Sequence, residues 1–403
     1  MGSIGPPPDG GDAPVAAPKV DIEKEIEEGR DAYKPGGLHP VYIGDVYADK
    51  YEVMSKIGWG KYSTVWLVKD LSKGPHDEHR FRALKVLAEF VYSSTVTPHI
   101  FEREILRKFR DGDRQHVGYN HVCHLVDDFE LTGPNGNHVC LVLELMGESL
   151  QTFEDWFEDE ETFPTDIMKR FSYQLVCALG FAHENKVIHC DIKTDNIFVK
   201  MLDTSQIESG YLVDEPIPIQ DRTEERYTPI ESIPLRGYYF GGDLGRLSDH
   251  MNETIQADVY RAPEVLIEAY WSESTDLWNL GVVLMRVYGG RYIFHGCALR
   301  DGSYYSAKEH ISEIVEAFGD FPDNLLWGSD SEILEEVFDG DGRLKEVPPF
   351  NCPDLASEYF LPGLDHHTRH TFASFLRAMT MIDPDDRWLP EQLLEHPWIK
   401  YQG

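Results

Sequence analysis

The chain has 403 residues, and its 71 acidic against 37 basic side chains give a formal net charge of −34 at pH 7. That length supports two sizeable cores. The acidic balance excludes nucleic acid as a direct ligand, because attraction to a phosphate backbone needs the opposite sign, and it fits basic protein partners or plain solubility.

No run of eighteen apolar residues occurs, and the start lacks a basic stretch followed by an apolar one, so neither a membrane contact nor a signal peptide is expected. Six cysteines (Cys123, Cys140, Cys177, Cys190, Cys297, Cys352) show no metal-ligand spacing, and several lie in apolar runs. They read as reduced residues of an intracellular protein, cytoplasmic and/or nuclear.

In chain order, residues 1–20 are rich in Pro, Gly and Ala, and Asp21 to Arg30 is acidic, so a disordered acidic tail is expected over 1–33. The folded unit is expected over 51–398. Two β-rich runs, Tyr51-Glu52-Val53-Met54 and Val65-Trp66-Leu67-Val68, are joined through Ile57-Gly58-Trp59-Gly60-Lys61-Tyr62-Ser63-Thr64. This suits a strand–turn–strand flap whose glycines let backbone N–H groups approach phosphates, although Gly-x-Gly alone equally marks an ordinary hairpin turn. Phe81 to Leu87 alternates as a strand carrying Ala83 and Lys85. Phe101 to Phe109 has apolar residues at 101, 105, 106 and 109, which is helical spacing; it offers Lys85 two partners, Glu102 and Glu104, between which periodicity does not decide.

Cys140 to Met146 is an apolar strand ending at Gly147. The segment Ile188-His189-Cys190-Asp191-Ile192-Lys193-Thr194-Asp195-Asn196 then sets an acid, a lysine and an asparagine at the spacing phosphoryl transfer needs. A stretch at about 203–235 reads as an extended insertion, either a regulatory arm or an inert loop. Phe240-Gly241-Gly242-Asp243-Leu244-Gly245 and Tyr260-Arg261-Ala262-Pro263-Glu264 follow, then Asp276 at the start of an apolar helix and, near the end, Arg387.

Taken together and in this order, the segments resemble the parts of a protein kinase. The resemblance implies an α+β bilobal fold, with a small antiparallel β lobe and one main helix (51–144), a larger mostly helical lobe (145–398), and ATP with Mg²⁺ between them. It implies that Ile57, Gly58, Trp59, Gly60, Lys61, Tyr62, Ser63, Thr64 and Val65 form the phosphate loop, with Ser63 in place of the usual third glycine. Ala83 and Lys85 would line the nucleotide site, with Lys85 on the α- and β-phosphates and Glu104 as its partner by motif position. Leu143 would be the gatekeeper, and the backbone groups of Glu144 and Met146 would bind adenine. Asp191 would accept the substrate hydroxyl proton, Lys193 would neutralise the moving phosphoryl group, Asn196 and Asp243 would hold Mg²⁺, and Glu264 would pair with Arg387. Lys193 points to serine/threonine rather than tyrosine as acceptor.

Lys34-Pro35-Gly36-Gly37-Leu38-His39-Pro40-Val41-Tyr42-Ile43-Gly44-Asp45, Gly58-Trp59-Gly60, Ser63 to Leu67, Ile255-Gln256 and Glu264 to Ile267 are similar to SR-protein kinases. That family also carries an insertion between the lobes. The similarity covers about 34–400 and implies a monomer phosphorylating serines of basic, arginine/serine-rich splicing proteins. Three positions depart from the pattern. Lys308 interrupts an acidic docking cluster, of which Ala307-Lys308-Glu309-His310 keeps one acid. Ala257 replaces a threonine whose hydroxyl would bridge the catalytic Asp and Lys; one such bond is worth ~1 kcal/mol, which slows turnover rather than abolishing it. Cys190 stands where most kinases have an arginine that captures a phosphorylated activation loop, although SR-protein kinases also lack it. The alternative to an active kinase is a pseudokinase scaffold that binds nucleotide and partners without efficient transfer; Lys85, Asp191, Asn196 and Asp243 all favour activity, and Ala257 favours the scaffold.

Overall fold

The computed structural model describes residues 27–92, 101–157, 163–201, 204–215, 217–235, 247–249, 258–296, 305–329, 332–345 and 353–400. The smaller lobe is a six-stranded sheet of β1 (Val46–Tyr47), β2 (Tyr51–Gly60), β3 (Ser63–Asp70), β4 (Phe81–Leu87), β5 (Leu125–Gly133) and β6 (Gly136–Leu143), in the spatial order β1-β2-β3-β4-β6-β5. Every neighbouring pair is antiparallel.

Central position explains the near-continuous burial of β4. Its side chains alternate between two separate cores: Phe81, Ala83 and Leu87 join the cluster that includes Leu106, while Leu84 and Val86 join Tyr51, Trp66 and Cys140 on the opposite face. Lys85 shares the parity of Ala83 and so projects towards α1 (Glu102–Arg110), which supplies Leu106.

The larger lobe is built on α2 (Thr165–Glu184), α3 (Ser274–Gly289), α4 (Ala307–Phe318) and α5 (His366–Met379), with a small antiparallel sheet of β7 (Met146–Ser149), β8 (Ile197–Lys200) and β9 (Leu247–Asp249). α3 is buried along almost its whole length, with Trp278 fully enclosed. Such all-round burial marks the central element of this lobe. The α+β class and the bilobal division follow the sequence expectation.

Two boundaries differ from that expectation. The tail expected to be disordered over 1–33 becomes part of the fold by Glu27: the Lys56 ammonium, wholly buried on β2, is held by Glu27 at 2.7 Å and by Glu28 at 2.7 Å. A buried lysine is tolerable only with counter-charge, and this need orders the flank. The insertion is also not extended throughout. Ile207–Tyr211 makes a π-helical turn continued by Leu212–Asp214, because Ile207 and Tyr211, four residues apart, bury together in the core beneath β2 to β4.

The larger lobe contains a fully buried ion pair. Arg387 donates from Nη1 and Nη2 to Glu264 at 2.6 and 2.7 Å, and Thr275 Oγ1 donates to the same carboxylate at 2.8 Å. Removing one partner strands the other charge. Arg387→Met is therefore expected to destabilise the chain by about 3–5 kcal/mol; a loss below about 1 kcal/mol in urea denaturation would show that the pair is not a structural keystone.

Candidate active site

Between the lobes lies a cleft of about 630 Å³. Its roof is the β2–β3 hairpin. Gly60 pairs with Ser63 across the Lys61-Tyr62 turn, and the ladder slips register between Lys56 and Gly58, so Ile57 and Trp59 project differently from a regular strand. Ile57, Gly58, Trp59, Gly60, Lys61, Tyr62, Ser63 and Val65 all line the cleft. Thr64, expected with them, does not: strand alternation turns it to the other face, where it is buried and accepts from Trp66 Nε1 at 2.9 Å.

Ala83 and Lys85 face the cleft from β4, and Lys85 Nζ meets Glu102 Oε1 at 2.6 Å. This corrects the expectation of Glu104. Glu102, Leu106 and Phe109 are the buried residues of α1, at i, i+4 and i+7, so one stripe of the helix is buried, Leu106 against the sheet and Phe109 against Phe181 of α2. Glu104 stands about 200° around the helix from Glu102, exposed, with Tyr92 Oη donating to it at 3.1 Å.

At the back, Leu143 ends β6 opposite Ala83, and Glu144, Met146 and Gly147 continue the wall as the chain crosses to the larger lobe. Glu144 is fixed at this crossing. Its amide donates to His124 O at 3.1 Å, its carboxylate accepts from His124 N at 3.1 Å, and Lys200 Nζ pairs with it at 3.0 Å.

The floor carries Lys193, Asp195, Asn196 and Phe198. Asp191 lies just beneath and is buried; Lys193 Nζ sits 3.1 Å from its Oδ2, and Asn196 Nδ2 donates to its Oδ2 and to its main-chain oxygen, both at 2.8 Å. Asp191 Oδ1 has no hydrogen-bond partner among the described residues. It is a buried acceptor left without a donor.

The loop is held from behind by Asp276 of α3. The fully buried carboxylate accepts from His189 N at 2.8 Å and Cys190 N at 2.9 Å, and lies 2.9 Å from His183 Nε2. Cys190 sits at φ +65°, a backbone region L side chains rarely adopt. Its thiol is pushed up to about 12 by burial and by the charges of Asp276 and Asp191, so it remains a neutral group beside the site. The sequence reading treated Asp276 as merely opening a helix and did not single out Asp195, Pro234 or Leu235, which also line the cleft.

Asp243 and Ala257 lie outside the described residues, as do Cys297 and Cys352. Asn196 fits a hard divalent cation: its amide nitrogen is occupied by Asp191, and its remaining donor atom is a neutral oxygen on the cleft floor. Among the described residues there is no cluster of three or more His, Cys, Asp or Glu able to hold a metal alone, and no helix is long and apolar enough to cross a membrane.

A family profile described as a protein kinase domain matches residues 51–213 and 240–399. A serine/threonine protein kinase of Aspergillus fumigatus is 32% identical over 95% of this chain and 93% of its own length. A serine/threonine-protein kinase SRPK of Physarum polycephalum is 26% identical over 94% and 92%, and the human SRSF protein kinase 3 is 24% identical over 98% and 96%. A crystal structure of a kinase domain superposes with a TM-score of 0.61 at 22% identity, covering 89% of this chain and 98% of the other, which is a likeness of fold.

The two glutamates of α1 separate cleanly by experiment. Glu102→Gln removes the charge that fixes Lys85 and is expected to lower phosphoryl transfer from ATP at least tenfold, whereas Glu104→Gln should stay within about twofold of the parent. Equal effects in a radiolabelled-ATP assay would reject the assignment.

Proposed function

This chain belongs to the protein kinase family as a serine/threonine kinase of the SR-protein-kinase type, and from that premise we propose that it transfers the γ-phosphoryl group of ATP to serines of basic, arginine/serine-rich splicing proteins. One observation carries the catalytic part of this reading. A paired lysine on the roof side, Lys85 with Glu102, faces across one cleft Lys193 and Asn196, each bonded to the buried acid Asp191.

The roles follow from charge and geometry. Lys85, fixed by Glu102, sits where it can neutralise phosphate oxygens, and the backbone N–H groups of the β2–β3 hairpin are available to the same oxygens. Asp191 accepts the proton of the attacking serine hydroxyl, while Lys193, on its Oδ2, offers positive charge to the transferring group. Asn196 and Asp243 would be the oxygen donors for Mg²⁺, which would supply positive charge to the phosphates. Glu144 and Met146 offer hinge backbone groups to adenine.

The substrate class rests on the net charge of −34, on the names of the SRPK and SRSF kinase relatives, and on α4. Glu309 and Glu316, seven residues apart, share one half-buried face of that helix. The sequence reading counted only Glu309. A second acid on the same face offsets Lys308 in attracting a basic segment. Glu313, between them, is occupied with the amides of His295 and Gly296 at 2.8 and 3.0 Å.

Asp191→Ala is expected to abolish transfer while ADP still raises the melting temperature, since the nucleotide contacts lie elsewhere in the cleft; a variant retaining near-parental rate would overturn the role of Asp191. Arginine/serine peptides should be phosphorylated faster than acidic ones, with the advantage shrinking as salt rises above about 0.1 M, where the screening length falls below about 10 Å. Equal rates on basic and acidic peptides would reject the substrate class.

A further inference from the structure

The insertion does more than decorate the small lobe. Ile233 N donates to Lys56 O at 2.8 Å, which attaches the insertion to β2 at the residue immediately before the roof of the cleft. The attachment is reinforced from the side chain: Lys56 Nζ donates to Ile230 O at 2.9 Å as well as to Glu27 and Glu28, and Glu27 in turn accepts from Ser232 N at 2.5 Å and Ser232 Oγ at 2.9 Å. Tyr211 Oη adds a bond to Ile233 O at 2.6 Å and lies 3.0 Å from Ser55 Oγ.

Two residues beyond Ile233, Leu235 is 3% exposed and belongs to the same core cluster as Leu143, with Ile57 and Met146 packed against it. It also lines the cleft, as does the more exposed Pro234 beside it. Ile233 is bonded to Lys56, the residue before Ile57, so the chain reaches the cleft at Leu235 close to where the roof begins. A buried branched aliphatic side chain on a cleft wall has no chemistry to offer phosphate. It offers apolar contact to a flat heterocycle.

We propose that Leu235 is a nucleotide-contact residue supplied by the insertion, closing the base end of the ATP site, and that Lys56 is the positioning residue that holds it there. The proposal rests on the nucleotide-binding reading of the cleft and extends it to a segment outside the kinase motifs. It makes the insertion a wall of the site, and it makes base recognition depend on residues 27–28 and 230–235 together.

The test uses the full chain with Leu235→Ala and the conservative Leu235→Met, measuring KM for ATP and for a basic peptide, kcat, and competition by ADP and by inorganic triphosphate. Losing an apolar contact of this size should raise KM for ATP about five- to tenfold. The loss should appear equally in ADP competition, be absent for triphosphate and for the peptide, fall on KM rather than kcat, and be largely restored by Leu235→Met. An unchanged KM for ATP, or equal losses for ATP and triphosphate, would overturn the proposal. Should Leu235→Ala fail to fold, hydrogen exchange on the unsubstituted chain decides: ADP should slow exchange over 233–235, and ADP binding that leaves those amides unchanged rejects the role of Leu235 alone. Absence of ADP binding to the unsubstituted chain would instead reject the nucleotide site itself. Lys56→Met should reproduce the ATP-selective loss in a folded chain and Lys56→Arg should lessen it; equal weakening of ATP and triphosphate by Lys56→Met would leave Lys56 with no part in placing Leu235.

Discussion

A single buried carboxylate, Asp276, sets the geometry on which the catalytic floor depends. It captures the amides of His189 and Cys190 and holds the chain in the left-handed turn at Cys190 that delivers Asp191 beneath the cleft. The strained backbone costs about 1–3 kcal/mol. Each hydrogen bond to a charged acceptor contributes about 1.5–3 kcal/mol, so the pair outweighs the strain. The carboxylate can do this because it sits on the first turn of α3, whose neighbouring residues are tied just as firmly. Thr275 donates to Glu264, and Arg387 donates to Ser274 O at 3.1 Å as well as to Glu264. Three consecutive residues thus couple the structural ion pair of the larger lobe to the loop that carries the base.

The smaller lobe applies the same physics to two lysines on adjacent structural layers, with different results. Lys56 directs its ammonium at two carboxylates and a carbonyl, which satisfies its three donors inside the protein and leaves it no role towards a ligand. Lys85 stands on the wall of the cleft, and its carboxylate partner belongs to a helix. What separates a structural from a catalytic lysine here is therefore not burial, since both are largely shielded, but position: the Lys56 ammonium is enclosed by the flank and the insertion, whereas Lys85 lines the cleft.

Local chemistry was the legible part of the sequence. Asp191, Lys193 and Asn196 lie within six residues, and one loop conformation is enough to bring them together, so their spacing carried the assignment. The face of an element was less legible. Apolar residues at 101, 105, 106 and 109 permit either glutamate of α1 to face inward, and only the packing of Leu106 against the sheet and of Phe109 against Phe181 of α2 selects Glu102. Thr64 was misplaced for a related reason: treating the phosphate loop as a continuous run ignores that β3 begins at Ser63 and alternates thereafter.

The contacts of the flank and insertion were illegible, because nothing in the composition of 203–235 reveals that it meets residues 27, 28 and 56. Such contacts are long-range, and the driving groups are individually unremarkable: a lysine in a strand, two glutamates in an acidic tail, a serine and a leucine in a polar stretch. An inert surface loop would not bury Ile207, Tyr211 and Leu235, nor place main-chain groups at both ends of the Lys56 side chain's residue, its carbonyl and its ammonium. A detachable regulatory arm would not leave Glu27 and Lys56 dependent on it for part of their hydrogen bonding, since releasing it would strand polar groups in an apolar lobe. The physical account that remains is that the insertion completes the small lobe, supplying from outside the core motifs the packing that the edge of β2 lacks on its own.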